Sequence, residues 1–423
     1  MDAFERSQYR TTINLSDTIL RIVVQPENFK LNSPVPIETS SKQRPLIESI
    51  ERQKRNITIL WEDGHHDLFH HIWLRDNCTC PQCGDRSGGH RYLELGSIDP
   101  DIAPDELSID SAGSLQIRWQ GDGHLSSYTS AWLHEHSYSS DAIAKRRQQP
   151  VIWDSTLNGK ISEWDYDQIL SEESMRLQMF QRINDYGFAI INAVPTLEDQ
   201  IESLASIFGF IRETHYGRIF DLISTQQQRI LAQTAHAIRP HNDELFRDPI
   251  PGLFMMHCLR ASECGGGASI LVDGFSAAER LRSEHREMFD LLCRVSIPHR
   301  RFLADDVDDV ALSANWRSIE LDRYGDIAAV HINERTMAPL DTDEHLVEPV
   351  YQALQQLLAL VYAPEACVTY RLEAGQAAVM DNHRVLHARA AFNGNRHIRQ
   401  CHVDRDEFFS RLRALQRRLD IDD

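Results

Sequence analysis

The spacing of apolar positions changes along this chain, and each change predicts a different kind of structure. Residues 1–45 are polar, interrupted by Pro34 and Pro36, and show no sustained apolar period. Such a stretch buries too little surface to offset its ordering entropy, so a poorly ordered or loosely docked arm is expected. From 46 to 140 the apolar residues come in short alternating runs: Ile57-Thr58-Ile59-Leu60-Trp61, Arg91-Tyr92-Leu93-Glu94-Leu95 and Ser114-Leu115-Gln116-Ile117-Arg118-Trp119. Gly and Asp stand between them. Period-two alternation bounded by turn residues predicts a small β-domain. Residues 141–160, rich in Lys, Arg and Gln, read as a linker.

In the larger unit, 161–423, the period alternates between helical and extended. Met175 to Tyr186 is amphipathic at helical spacing and stops at Gly187. Phe188-Ala189-Ile190-Ile191 is a buried strand, and Leu197 to Phe208 a second helix. Strands are predicted over Gly252–Leu259, Ser269–Gly274 and Ile327–Asn333. Helices are predicted from about Ser276, over Glu344–Leu360 and over Asp406–Leu419. Helices packed on a mainly β core suit a double-stranded β-helix, or jelly roll. The expected whole is therefore mainly β with helices, a double-stranded β-helix (jelly roll) preceded by a small β-domain.

Composition narrows the function classes. A chain of 423 residues allows two or three domains, and 42% hydrophobic content is ordinary for a globular protein. The net charge of −19 argues against nucleic acid and against anionic membranes as partners. No apolar run reaches the length of a membrane span. The start, Met1-Asp2-Ala3-Phe4-Glu5-Arg6, reads neither as a signal peptide nor as a clear transit peptide, so a cytoplasmic protein is expected.

Two patterns carry candidate chemistry. His241-Asn242-Asp243 followed far downstream by His387 has the ligand types of the two-His-one-carboxylate triad, which leaves one face of an Fe(II) open for a cosubstrate and O2. With 20 His and 63 acidic residues, the pattern also arises by chance. The surroundings favour the metal. An apolar strand at Ala378-Val379-Met380, an Asp381-Asn382 turn and a second strand carry His387. Arg396 follows near the start of the next strand-like run, where a guanidinium fork suits a carboxylate; the alternative is a surface Arg on a β-edge. The second pattern is Cys78-Thr79-Cys80-Pro81-Gln82-Cys83. Three thiolates this close can converge on one Zn(II), with His124, in a turn between strand-like runs, as the best fourth ligand. The alternative is three buried or free thiols. The His65-His66-Asp67-Leu68-Phe69-His70-His71 stretch alternates along a strand and reads as surface or packing histidine.

Together, Trp73-Leu74-Arg75-Asp76-Asn77-Cys78, Tyr216-Gly217, the His241/Asp243 pair, Val272-Asp273-Gly274-Phe275 and Asp381-Asn382-His383-Arg384-Val385-Leu386-His387-Ala388-Arg389 resemble the γ-butyrobetaine and trimethyllysine hydroxylases. The resemblance spans roughly residues 50 to 415. It implies an Fe(II)- and 2-oxoglutarate-dependent dioxygenase, with O2 as cosubstrate and a structural Zn(II) held by Cys78, Cys80, Cys83 and His124. It also implies a homodimer assisted by the zinc domain. By the same resemblance Arg396 binds the distal carboxylate of 2-oxoglutarate, assisted by Ser269 and with Arg389 beside it. Tyr216, Phe220, Gln233, Asn333 and His402 fall at substrate-pocket positions.

The departures from that pattern bear on the substrate. Trimethylammonium compounds are held in an aromatic cage. Tyr216 keeps one wall and Phe220 replaces a Trp, but Gln233 and His402 stand where Tyr is expected, and Ile230 where an Asn is expected. Asn333 keeps an amide suited to a substrate carboxylate. The expected substrate is a small zwitterion or amino-acid-like molecule, whose amine could meet Gln233 and a carboxylate such as Glu244 or Glu334. Alternatives are butyrobetaine or trimethyllysine hydroxylation itself, or desaturation, cyclisation or demethylation at the same iron. A non-catalytic scaffold is disfavoured by the intact ligand set.

Overall fold

The computed structural model describes residues 45–85, 89–147, 149–223, 236–262, 266–303, 310–392 and 394–419. The expected arm, except for its last residue, lies outside these, as do Ile230 and Gln233.

Two sheets form the centre of the molecule. The larger has six strands, in the order Phe220–Ile223, His397–Val403, Leu253–Arg260, Ala377–Asp381, Phe188–Asn192 and Glu163–Asp165. The smaller has four, in the order Ile238–His241, Val385–Arg389, Ser269–Asp273 and Cys367–Tyr370. All pairs are antiparallel except the last of the larger sheet. Successive side chains on a strand face opposite ways, so each sheet serves two cores. Phe188, Ile190, Phe254, Met256, Ala378 and Met380 of the larger sheet pack against Leu271, Val368 and Val385 of the smaller. Their neighbours Ala189, Ile191, Met255 and Val379 point the other way, against the helices Glu173–Tyr186, Gln200–Phe208 and Arg405–Arg418. On the far side of the smaller sheet, Val272 and Leu386 pack on Gly274–Glu284, Arg286–Leu292 and Val347–Tyr362. This is the jelly roll expected from the sequence.

The Asp381-Asn382 turn joins two different sheets. The strand before it belongs to the larger sheet and the strand after it to the smaller. That crossover is pinned by Arg384, whose guanidinium makes a fully buried two-pronged pair with Asp273 (Nε–Oδ1 3.0 Å, Nη2–Oδ2 3.0 Å). Two of the remaining three guanidinium hydrogens go to the carbonyls of Asp185 and Val151, both at 2.6 Å. A buried charge pair is tolerated when its hydrogen bonds are satisfied in this way. Gly274 must follow Asp273, because a Cβ there would stand 2.6 Å from the Arg384 carbonyl oxygen. The Val-Asp-Gly and Asp-Asn-x-Arg motifs are thus two halves of one contact.

The stretch read as a linker, 141–160, is built into the fold. It contains the helix Ser140–Arg146, and buried Trp153 donates from its backbone to Asp273 and from its indole to the Tyr186 carbonyl. Residues 47–138 have a core of their own, with Ile57, Ile59, Trp61, Phe69, Ile117, Trp119 and Tyr128 between two three-stranded sheets. The expected strand Arg91–Leu95 does not form. Only His90–Arg91 pairs, and Leu95–Ser97 is a short 3-10 turn. The Cys83 carbonyl takes the amide hydrogens of Tyr92 and Leu93 at 2.9 and 3.1 Å, so the cysteine loop claims the backbone groups a strand would use.

Candidate active site

His241 and His387 face each other as cross-strand partners of the smaller sheet, which puts their rings side by side with centroids 4.3 Å apart. Asp243 follows in the loop beyond His241. Its Oδ1 lies 3.3 Å from His241 Nε2 and 3.7 Å from His387 Nε2. The three donor atoms all fall within 4.8 Å of one another. Octahedral bonds of about 2.1 Å would put neighbouring donors about 3.0 Å apart, so small shifts would seat an ion. The histidines are also prepared as ligands. His241 Nδ1 donates to the Arg239 carbonyl at 2.9 Å, which leaves the Nε2 lone pair for a metal. Burial, with His241 adding to it, pushes the His387 imidazole down to about 3, so it is neutral. Burial raises the Asp243 carboxyl, but the neighbouring His387, His241 and His402 rings outweigh it and hold the group well below the usual carboxylate range.

Two buried asparagines hold this loop. Asn242 accepts from the Ile332 amide at 2.8 Å and donates to the Asn382 carbonyl at 2.7 Å. Asn382 accepts from the Asp243 amide at 2.8 Å and donates to the Asp243 and Pro251 carbonyls. The turn that launches the His387 strand therefore also fixes Asp243. Neither asparagine carries a signal of its own in the sequence beyond its place inside a motif.

The triad opens into a cavity of about 250 Å³. Arg396, Arg389 and Ser269 line it, with Ser269 opposite Arg389 in register. Arg396 is buried, and its guanidinium has no hydrogen bond or ion pair among the described residues; burial lowers its affinity for the proton. Arg399, three residues further along, pairs with Asp221 at 3.0 Å and does not line the cavity. Arg389 donates to the His236 carbonyl.

The substrate candidates divide. Tyr216 and Phe220 line the cavity with ring centroids 5.3 Å apart. His402 also lines it, stacked on Phe254 and 3.6 Å from Asp243 Oδ2, so the carboxylate is flanked by the two histidine ligands on one oxygen and His402 on the other. Asn333 lines the cavity, but its amide donates to the Asn242 carbonyl and accepts from the Arg335 amide. Glu244 is bound to Arg247 at 2.6 Å. Glu334 is exposed, is not among the lining residues and accepts from the Tyr362 hydroxyl.

Away from the cavity, Cys78, Cys80, Cys83 and His124 form the second cluster. Their sulfurs lie 3.3, 3.5 and 3.5 Å from His124 Nε2. Tetrahedral zinc bonds to sulfur and nitrogen would separate such atoms by about 3.6 Å. Buried Arg75 supports the group, with Nη1 3.4 Å from Cys83 Sγ and Nη2 2.9 Å from Asp122, which in turn accepts from the His124 amide. The neighbouring histidines are used in packing: His65 stacks on Trp61, and His70 meets the Tyr138 hydroxyl at 2.8 Å.

The sequence model described as "Taurine catabolism dioxygenase TauD, TfdA family" matches residues 154–402, and that of "Gamma-butyrobetaine hydroxylase-like, N-terminal" matches 48–188. The gamma-butyrobetaine dioxygenase of Pseudomonas sp. is 34% identical over 367 residues, covering 85% of this chain and 94% of that protein. The trimethyllysine dioxygenase of Meyerozyma guilliermondii is 30% identical over 375 residues, covering 85% and 93%. The human gamma-butyrobetaine dioxygenase is 26% identical over 372 residues, covering 86% and 95%.

Proposed function

We propose how this chain, which belongs to the taurine catabolism dioxygenase TauD, TfdA family, carries out its chemistry: His241, Asp243 and His387 hold Fe(II), and Arg396 anchors the distal carboxylate of 2-oxoglutarate. The chain is an Fe(II)- and 2-oxoglutarate-dependent dioxygenase, an oxidoreductase acting on a small molecule. Bound iron with 2-oxoglutarate and O2 supplies an oxidant able to break an unactivated C–H bond, the cosubstrate leaving as succinate and CO2. The protein orients both molecules and excludes water. His241 and His387 present ring nitrogens, Asp243 supplies the counter-charge, and Asn242 and Asn382 keep that carboxylate in place. Ser269 and Arg389 sit beside Arg396 to complete the cosubstrate end. The observation that carries this reading is the meeting, in one cavity, of a three-donor cluster and an unpaired buried guanidinium.

The substrate we favour is a small zwitterionic or amino-acid-like molecule, hydroxylated near Tyr216, Phe220 and His402. The named relatives act on butyrobetaine and trimethyllysine. Here two positions expected to carry cage tyrosines hold Gln233 and His402, which argues against a quaternary ammonium group. Residues 46–140 make a zinc-binding unit holding Zn(II) on Cys78, Cys80, Cys83 and His124. A homodimer and a cytoplasmic location belong to the same reading. No helix among the described residues is long and apolar enough to cross a membrane. The test is substrate-coupled succinate formation across butyrobetaine, trimethyllysine, free amino acids and aminophosphonates. Turnover with none of these, by protein that binds iron and 2-oxoglutarate, would reject the substrate class.

A further inference from the structure

The molecule is strongly acidic, with a net charge of −19, yet its cavity is lined by six arginines and only two carboxylates. Both carboxylates are committed: Asp243 to the metal cluster and Glu244 to Arg247. Of the arginines, Arg212 pairs with Asp404, Arg218 lies 3.8 Å from Glu202, and Arg396 and Arg389 stand at the cosubstrate end. Arg301 and Arg335 are left. Among the described residues neither has a carboxylate partner. Arg301 lies beside Tyr216, and its Nε is buried without a hydrogen-bond acceptor among the described residues.

The fold brings these two together on one wall of the cavity, with Asp243 as the nearest carboxylate acting on Arg335. Arg301 lies on the strand Ser296–Leu303 and Arg335 in the short turn Glu334–Thr336. The strand is fastened to the turn by His299 Nδ1 to Thr336 Oγ1 at 2.9 Å and by the Ala338 amide to the Pro298 carbonyl at 2.8 Å. Arg301, two residues beyond His299, shares its face of the strand and so points toward the same turn. Arg335 is exposed and lines the cavity. Burial disfavours the Arg335 charge, the Asp243 carboxylate favours it, and the Arg301 guanidinium repels it. A ferrous ion (+2), the Asp243 carboxylate (−1), a dianionic 2-oxoglutarate (−2) and the Arg396 guanidinium (+1) would sum to zero, so loading the site adds no net charge to offset this repulsion.

We propose that Arg301 and Arg335 form an anion subsite for the primary substrate, selecting molecules that present a carboxylate, sulfonate or phosphonate head group beside Tyr216. This rests on the dioxygenase reading above and gives its substrate a charge. The anion lies near the Asn333 turn, but it is gripped by guanidinium forks, since the Asn333 amide is engaged by backbone. Two-pronged oxyanion contacts are what this side chain makes best.

The test is titration calorimetry on the full chain loaded with Fe(II) and 2-oxoglutarate under argon. The probes are 4-aminobutyrate, 3-aminopropanesulfonate, 3-aminopropylphosphonate and the uncharged 4-aminobutanamide. At least one anion should bind about tenfold or more tighter than the amide. Arg301→Met and Arg335→Met should each remove that preference while leaving 2-oxoglutarate affinity within about twofold, and Arg335→Lys should restore part of it. Equal binding of anion and amide, binding of none of the anions, or loss of 2-oxoglutarate affinity in Arg335→Met as large as in Arg396→Met each overturns the inference. Failure of iron and 2-oxoglutarate to bind together at all rejects the dioxygenase reading itself, which separates the two failures.

Discussion

The two metal-ligand clusters of this chain are built in opposite ways. The Cys78/Cys80/Cys83/His124 cluster offers four donors, three of them from one tight loop, and four protein donors would fill a tetrahedral ion without leaving a position for substrate. The His241/Asp243/His387 cluster offers three donors from two distant segments, and its remaining side faces a cavity of about 250 Å³. The first holds structure by local chain geometry. The second depends on strand register and on a turn that crosses between sheets. A closed site can therefore be lost without touching the chemistry, whereas the open one loses its chemistry with any single ligand.

The largest expected effect breaks the comparison at the iron. His387→Ala or Asp243→Ala should lower substrate-coupled turnover by at least about a thousandfold, roughly 4 kcal/mol of transition-state stabilisation. Zinc content, measured by metal analysis of the same samples, should stay at one per chain. Near-wild-type turnover in either variant would sink the assignment. The mirror experiment is Cys80→Ser. It should lower the thermal midpoint by several degrees, while the folded fraction keeps its capacity for iron and 2-oxoglutarate. A Cys80→Ser protein of full stability would mean that the thiols only pack.

What the sequence made legible follows the same division. The clustering of Cys78, Cys80 and Cys83 was readable because their spacing is local, and so were the helices that end at Gly187 or begin after Asp404. The His241, Asp243 and His387 cluster was readable as residue types, but nothing local says that His241 and His387 are directly opposite across two strands. Motif residues Asp273 and Arg384 are visible in the sequence, but their bidentate contact is not, because it spans the chain. The strand expected at Arg91–Leu95 failed because a propensity rule cannot see the Cys83 carbonyl claiming its amides. Arg301 and Arg335 are two of many arginines until a strand and a turn are docked together.

Between these extremes lie the groups that position the open site. Asn382→Ala removes the acceptor for the Asp243 amide and the donor to two carbonyls. Outer contacts of this kind are worth about 10–100-fold in metal affinity or activity. The loss should show as weaker Fe(II) binding with zinc unaffected, and an unchanged iron affinity would mean the loop holds its shape without the staple. Arg396→Met should raise the apparent KM for 2-oxoglutarate about tenfold or more, as expected for losing a charge-assisted pair of roughly 1.5–3 kcal/mol. Arg399→Met, which breaks an ion pair with Asp221 outside the cavity, should do much less. A larger effect at Arg399 would reverse the assignment of the two.

The smallest effect is expected at His402, where the open site's specificity meets its ligand shell. A quaternary ammonium group cannot donate a hydrogen bond and needs aromatic faces or a carboxylate. The cavity offers Tyr216 and Phe220 as one pair of faces, with His402 stacked on Phe254 at the other side of Asp243. His402→Tyr would add a ring at the position expected to complete a cage, worth about 0.5–2 kcal/mol toward butyrobetaine if it points inward. It would also remove the group beside Asp243 Oδ2. The gain in quaternary ammonium binding should therefore come with a modest fall in kcat, because the carboxylate loses one of its neighbours. Binding measured by calorimetry and turnover measured by succinate formation separate the two effects. Efficient hydroxylation of butyrobetaine by the unmodified protein would mean that Tyr216 and Phe220 already suffice, and that the positions of Gln233 and His402 do not set specificity.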